Sequence, residues 1–181
     1  MKVRRVVTGH TPDGKATVAS DTEIGATGFP LAPGLSFHRL WGADIAPTFP
    51  DNGAPCPMPA YFPPVGGFRF GLFTIPPESA APPENIDLEM ALREIEEKLP
   101  GMLAVMEPDT PGMHTTDTID FEYVISGEVF LELDDGVEIH LRPGDTVVQN
   151  GTRHAWRNMG TEPCCMVTCL IGAHRNKPAR K

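Results

Sequence analysis

From residue 114 onward, apolar and polar residues alternate in short runs: His114–Ile125, Glu128–Leu133, Val137–Leu141, Asp145–Gln149, His154–Asn158 and Cys164–Ile171. Glycines 127, 136, 144, 151 and 160 close these runs every seven to nine residues. Period-two alternation broken at such spacing predicts the short strands of an all-β sandwich or barrel. The second and third runs also fix a register. Val129, Leu131 and Leu133 alternate with Glu128, Phe130 and Glu132, and Val137, Ile139 and Leu141 with Glu138, His140 and Arg142. A three-residue loop, Asp134 to Gly136 with Gly136 left-handed, sets Leu133 opposite Val137 and keeps the apolar residues on one face; a two-residue turn would set Leu133 against Glu138. The same register places Glu132 against Glu138 and leaves His140 as a surface histidine.

The run Cys164–Ile171 is apolar on both faces, so it predicts a strand covered on both sides, by the N-terminal segment or by a second subunit. Upstream, Gly67–Pro76 reads as another strand. Between it and Met113, Leu88, Ala91, Leu92, Ile95 and Leu99 recur at helical spacing, with Asn85 or Asp87 as the cap and Pro100-Gly101 as the stop. Glu89, Glu94, Glu96 and Glu97 form its solvated face. Residues 77–112 are therefore an insertion over the barrel mouth or at a dimer contact. Strands near Val3–Thr8, Ala16–Ser20 and Ser36–Leu40 are expected to extend the sheet edges within an N-terminal wrap, 1–66, whose residues 42–66 form a proline-rich loop. The barrel core is 68–172, and 173–181 reads as a frayed tail.

Composition sharpens this division. The chain has 20 prolines and 18 glycines in 181 residues, which argues against a helical fold. From Met113 to Thr161 the only proline is Pro143, as expected where a strand ladder needs its N–H donors. Lys plus Arg number 15 against 24 Asp plus Glu, a net charge of -9, and this leaves no basic footprint for nucleic acid. Neither a secretory signal nor an apolar stretch of membrane-spanning length is legible, so a single cytoplasmic domain is expected. The four cysteines lack C-x-x-C spacing, and Cys165 and Cys169, on one face of a strand but roughly 13 Å apart, are too distant to bridge. They read as reduced, buried thiols.

The chemistry gathers on two strands. His114, Thr116 and Asp120 project to one side of the first, with Glu122 next on that side; His154, Trp156 and Asn158 share a face of another. If these strands are neighbours, two imidazoles and a carboxylate converge. Here the chain resembles the cupin superfamily. The stretch His114-Thr-Thr116-Asp-Thr-Ile-Asp120 through Gly127 keeps the spacing of the family's first motif, and Gly144 through His154 to Asn158 follows its second, after the Leu141-Arg-Pro-Gly-Asp145 turn. The resemblance implies an antiparallel cupin-type β-barrel or jelly roll, commonly a homodimer, with a metal and a small substrate at its mouth. It assigns His114, Asp120 and His154 as metal ligands, while Thr116 stands in the place of the second histidine, Asn150 in that of the second motif's proline, and that motif is one residue short before His154.

Two histidines and a carboxylate suit a divalent transition metal, Fe, Mn, Ni or Zn, with open positions for substrate or dioxygen. Glu122 is a further oxygen ligand or a catalytic general base. Both acids need partners, since a lone carboxylate in an apolar barrel is costly. Thr116, Trp156, Asn158 and Arg69 are the candidate substrate contacts, Arg69 for an anionic group. The reading is a metal-dependent monocupin enzyme acting on a small organic molecule, with oxygenase chemistry ahead; Glu122 as base favours an isomerase or decarboxylase. The reading from a different class is a metal-free, non-catalytic small-molecule-binding barrel in which the two histidines are hydrogen-bonded interior residues.

Overall fold

A computed structural model describes residues 2–80 and 84–176. The strands are β1 (Lys2–His10), β2 (Ala16–Gly25), β3 (Thr27–Phe29), β4 (Ala32–Ala43), β5 (Phe68–Ile75), β6 (Thr118–Ser126), β7 (Val129–Glu132), β8 (Glu138–Leu141), β9 (Thr146–Asn150), β10 (Ala155–Arg157) and β11 (Cys164–Gly172). Helices α1 (Leu88–Lys98) and α2 (Met102–Val105) fall between β5 and β6. All paired strands run antiparallel. A six-stranded sheet in the order β3-β4-β5-β11-β6-β9 packs across a three-stranded sheet, β10-β7-β8. Phe73, Ile75, Val124, Cys164 and Met166 from the first sheet meet Val129, Leu131 and Leu141 from the second, and together they form the core of a jelly roll. Each large apolar side chain buried this way contributes about 1.5–3 kcal/mol.

The β7–β8 hairpin has the expected register. Val129 pairs with Leu141 and Glu132 with Glu138, and the Leu133 N–H donates to the Val137 carbonyl at 2.8 Å. Gly136 is left-handed, at φ +70°, and Asp135 joins it at φ +57°. The apolar face is incomplete, however: only Leu141 of β8 is buried, while Val137 is 50% and Ile139 41% exposed, because β8 is the edge of the smaller sheet. His140 lies on the outer side, stacked on Phe130 and bonded to Glu128 at 2.9 Å.

α1 is capped by Asp87, whose side chain accepts from the Met90 N–H at 3.0 Å, and it stops at Leu99. The Glu94–Lys98 and Glu89–Arg93 pairs lie along its outer side.

The N-terminal wrap departs from expectation. β1 and β2 pair only with each other, as a separate hairpin rather than as sheet edges. The side chains of β1 alternate between exposed and half-buried positions while β2 is mostly exposed, and Arg5 ties the hairpin to the domain by donating to the Leu40 carbonyl and lying over Trp41. β11 is fully covered on its inner face, where Cys164, Met166, Thr168 and Leu170 are buried, and only partly on the other, where Cys165, Val167 and Cys169 are half-buried and Ile171 is exposed. All four cysteines are free, but Cys56 is exposed, contrary to the expectation of buried thiols throughout. The tail is anchored as far as Arg175, which donates to the Thr116 carbonyl at 2.6 Å and the Gly151 carbonyl at 2.8 Å and pairs with Asp117. The rest of the expected frayed tail, from 177, lies outside the described residues. Among the described residues no helix is long and apolar enough to cross a membrane.

Candidate functional site

Between the two sheets and under the helices lies a cavity of about 670 Å3. Its walls are mostly apolar, and its polar groups are few: His114, Thr116, Asp120, Glu122, His154 and Thr168, with Tyr61 beside them. This combination of apolar walls and a few converging polar groups is that of a small-molecule site.

The strands position these groups by simple alternation. Thr118, Asp120, Glu122 and Val124 are the inward residues of β6, and Thr168 faces Glu122 across the β6–β11 pair. His114 and His154 meet just outside the regular strands. Each donates its backbone N–H to the other's carbonyl, at 2.9 and 3.0 Å, and their rings lie 4.2 Å apart. The His114 Nδ1 sits 3.0 Å from the Gly112 carbonyl and the His154 Nδ1 2.9 Å from the Thr152 carbonyl. A carbonyl only accepts, so both Nδ1 atoms carry the proton and both Nε2 atoms are left as acceptors. Burial lowers the pKa of His114, and burial together with His114 brings His154 down to about 4, so the pair is neutral at pH 7.

The acids are the unsatisfied part of the site. Asp120 Oδ1 and Glu122 Oε2 are buried without a hydrogen-bond partner among the described residues, as is Thr168 Oγ1. Desolvation, opposed by the Thr118 hydroxyl, raises Asp120 to about 6. Desolvation and the Asp120 charge raise Glu122 to about 8. At neutral pH, therefore, Asp120 is the carboxylate and Glu122 holds the proton. The Tyr61 phenol is also pushed up, first by burial and then by these two acids.

The expected metal set is not assembled. A catalytic metal site takes about three protein ligands, and among the described residues no three His, Cys, Asp or Glu side chains are arranged to hold an ion. The His114–His154 bridge joins the two sheets; beyond it β6 pairs with β9 in the larger sheet and β10 with β7 in the smaller, so Asp120 and His154 come to the cavity from different sheets. His114, Asp120 and His154 all line the same cavity without being grouped as the ligands of one ion.

Two expected substrate contacts are structural instead. Arg69 is inward on β5, but its guanidinium donates to the carbonyls of Ala43, Phe68 and Ala60 and pairs with Asp44, outside the cavity lining. Asn158 donates to the Ile75 and Glu162 carbonyls and accepts from the Gly160 N–H, so it staples the turn before β11. Thr116 lines the cavity and accepts from the Thr118 hydroxyl at 2.8 Å. Trp156 is a wall, edge-on to His154 and against Phe73. Sequence reasoning passed over Tyr61, which lies in the proline-rich loop with no periodic signal, and Thr168, which is masked by its apolar strand.

The family model described as "Cupin domain" matches residues 102–170. A Phomopsin biosynthesis cluster protein D of Diaporthe leptostromiformis is 50% identical over 46 residues, 25% of this chain and 24% of its own. The Cupin-domain-containing oxidoreductase srdB of Neurospora crassa is 36% identical over 93 residues, 48% of this chain and 47% of its own. The matched segments thus span a quarter to about half of these relatives. Among solved structures, the Schizosaccharomyces pombe Cnp3 cupin domain aligns over 93% of this chain and 87% of its own, at 9% identity and a TM-score of 0.47. The family match over 102–170 lies on the strands that carry the His114–Gly127 and Gly144–Asn158 motifs, so the likeness to a cupin domain is shown for that segment of the chain.

Proposed function

We propose that this protein is a redox-neutral cupin enzyme that moves a proton on a small carbonyl compound held in the cavity, with Asp120 as base and Glu122 as acid. The observation that carries the reading is the pair of buried carboxyls, each with an oxygen lacking a partner, on the wall of an apolar cavity. Two acids whose environments push their pKa values apart are the usual means of running acid and base chemistry at one pH. They stand two residues apart on β6, about 7 Å along the strand. Asp120 takes the proton from the carbon next to the carbonyl while Glu122 gives its own to the carbonyl oxygen. A C–H bond breaks and O–H bonds form on Asp120 and on the substrate oxygen; Asp120 then returns its proton to the same or a conjugated carbon of the enol while Glu122 takes back the hydroxyl proton, so the carbonyl and both acids are restored. The neutral His154 and His114 accept hydrogen bonds from substrate hydroxyls, and Thr168 supplies a further contact.

The test is incubation of the purified protein with a panel of ketones in deuterated water, read by mass spectrometry. Carbon-bound deuterium should accumulate with the wild type, survive chelation, and fall at least about a hundredfold in D120N and E122Q. Incorporation that disappears on chelation, or persists in both variants, overturns the reading. The relatives named oxidoreductases favour a second one, metal-dependent oxygenation. Stoichiometric transition metal in protein purified without additions, together with oxygen consumption lost in H114A and H154A, would establish it instead.

A homodimer is also proposed. Phe70, Phe121, Tyr123, Ile125, Val148 and Ile171 lie on the outer face of the six-stranded sheet and are 37–53% exposed. At roughly 200 Å2 per large side chain, that leaves on the order of 500 Å2 of apolar surface, well over half of the ~800 Å2 each partner buries in a standard interface. A second copy covering this face should sediment as a dimer that F121R dissociates; an unchanged mass in F121R refutes this contact.

A further inference from the structure

We infer that the cavity takes a neutral, single-headed amphiphile, with its oxygenated head at Asp120 and Glu122 and an unbranched hydrocarbon tail laid along α1. The head assignment rests on the proposed proton transfer, whereas the tail rests on the walls alone. Leu88, Leu92, Ile95 and Leu99 form one stripe of α1, and all four line the cavity. From Leu88 to Leu99 a helix rises about 16 Å. An extended alkyl chain advances roughly 1.3 Å per carbon at ordinary bond lengths, so the stripe matches about twelve carbons.

The direction is set by the ends of the helix. The Pro100 carbonyl just past α1 accepts from the Tyr61 N–H at 2.9 Å, and the Val105 carbonyl of α2 accepts from the Thr115 N–H at 3.3 Å, which brings the C-terminal end of α1 to the polar groups. Leu88, at the other end, is 56% exposed and marks the rim.

The charge pattern selects the head. No Lys or Arg is among the residues lining the cavity, and the nearby Arg39 and Arg69 are committed to backbone carbonyls. Two acidic side chains and no cation disfavour a carboxylate or phosphate head, since a buried charge needs a partner. An uncharged ketone, aldehyde or enol has no such requirement.

Quenching of Trp156 fluorescence, in the cavity wall, tests this with methyl alkyl ketones of four to sixteen tail carbons and with fatty acids of matched length at pH 7.5. Affinity for the ketones should rise about three- to fourfold per methylene (~0.8 kcal/mol) and level off near twelve carbons. The fatty acids should bind at least about tenfold more weakly. Ile95→Phe and Leu92→Phe should each move the plateau to shorter tails. E122Q should keep the chain-length series while losing deuterium exchange, so failure of the catalytic reading is separable from failure of this one. Affinity independent of tail length, fatty acids bound as tightly as ketones, or an unmoved plateau in both helix variants overturns the inference.

Discussion

Replacing Glu122 with glutamine tests the electrostatics of the site without any substrate. Glu122 is buried, one of its oxygens is unpaired, and its pKa is raised from its ordinary 4.5 to about 8. Because the folded value lies above the unfolded one, the folded chain holds this proton between those two pH values. Stability therefore falls as pH rises through the interval. At about 1.4 kcal/mol per pH unit, the carboxyl costs the fold about 3 kcal/mol at pH 7 and levels off near 5 kcal/mol above pH 8. Glutamine has nearly the same shape and no charge. E122Q should thus match the wild type at pH 4, exceed it by about 3 kcal/mol at pH 7, and exceed it by about 5 kcal/mol at pH 9. Urea unfolding at those three values measures the difference directly. A difference that does not grow with pH, or a variant less stable throughout, refutes the claim that this carboxyl is unpartnered in the fold.

Other consequences follow from the same geometry. The deuterium-exchange rate should be bell-shaped in pH, rising near 6 as Asp120 ionises and falling near 8 as Glu122 loses its proton, with both apparent values belonging to the pair; a rate that does not fall above pH 8 would remove Glu122 as the acid. Gly127 turns β6 into β7 at φ +73°, and a Cβ there would overlap the Pro163 carbonyl, so Gly127→Ala should lose more than about 2 kcal/mol in thermal or urea unfolding. Asn158→Ala strips the Ile75 and Glu162 carbonyls of their donor and should lower stability by about 2–3 kcal/mol, while ketone affinity of the folded protein changes less than twofold. A larger loss of affinity would restore Asn158 as a substrate contact.

What could be read from the chain alone was whatever local periodicity controls. Alternation and recurrent glycines marked the strands from 118 to 172, and the mismatch of Leu133 with Glu138 was enough to settle the β7–β8 register. The stripe on α1 and its Asp87 cap were equally legible. Side-chain period also put Asp120 and Glu122 on an inward face, because that requires only the pleat. Pairing between distant segments was decided by tertiary structure. The first two strands have good strand sequences, but nothing local says whether they join the main sheet, and they form a separate hairpin. Asn158 and Arg69 sit at inward positions, yet their polar groups are consumed by backbone carbonyls, among them those of Ile75 and Ala43 from segments remote in sequence. Tyr61 reaches the cavity from a loop without periodicity. The metal motif was the sharpest case: spacing placed two histidines and a carboxylate on inward faces, but only the pairing of β6 in one sheet and β10 in the other decided that they line one cavity without being grouped around one ion. Local spacing fixes which way a side chain points; only long-range strand pairing fixes which side chains it meets.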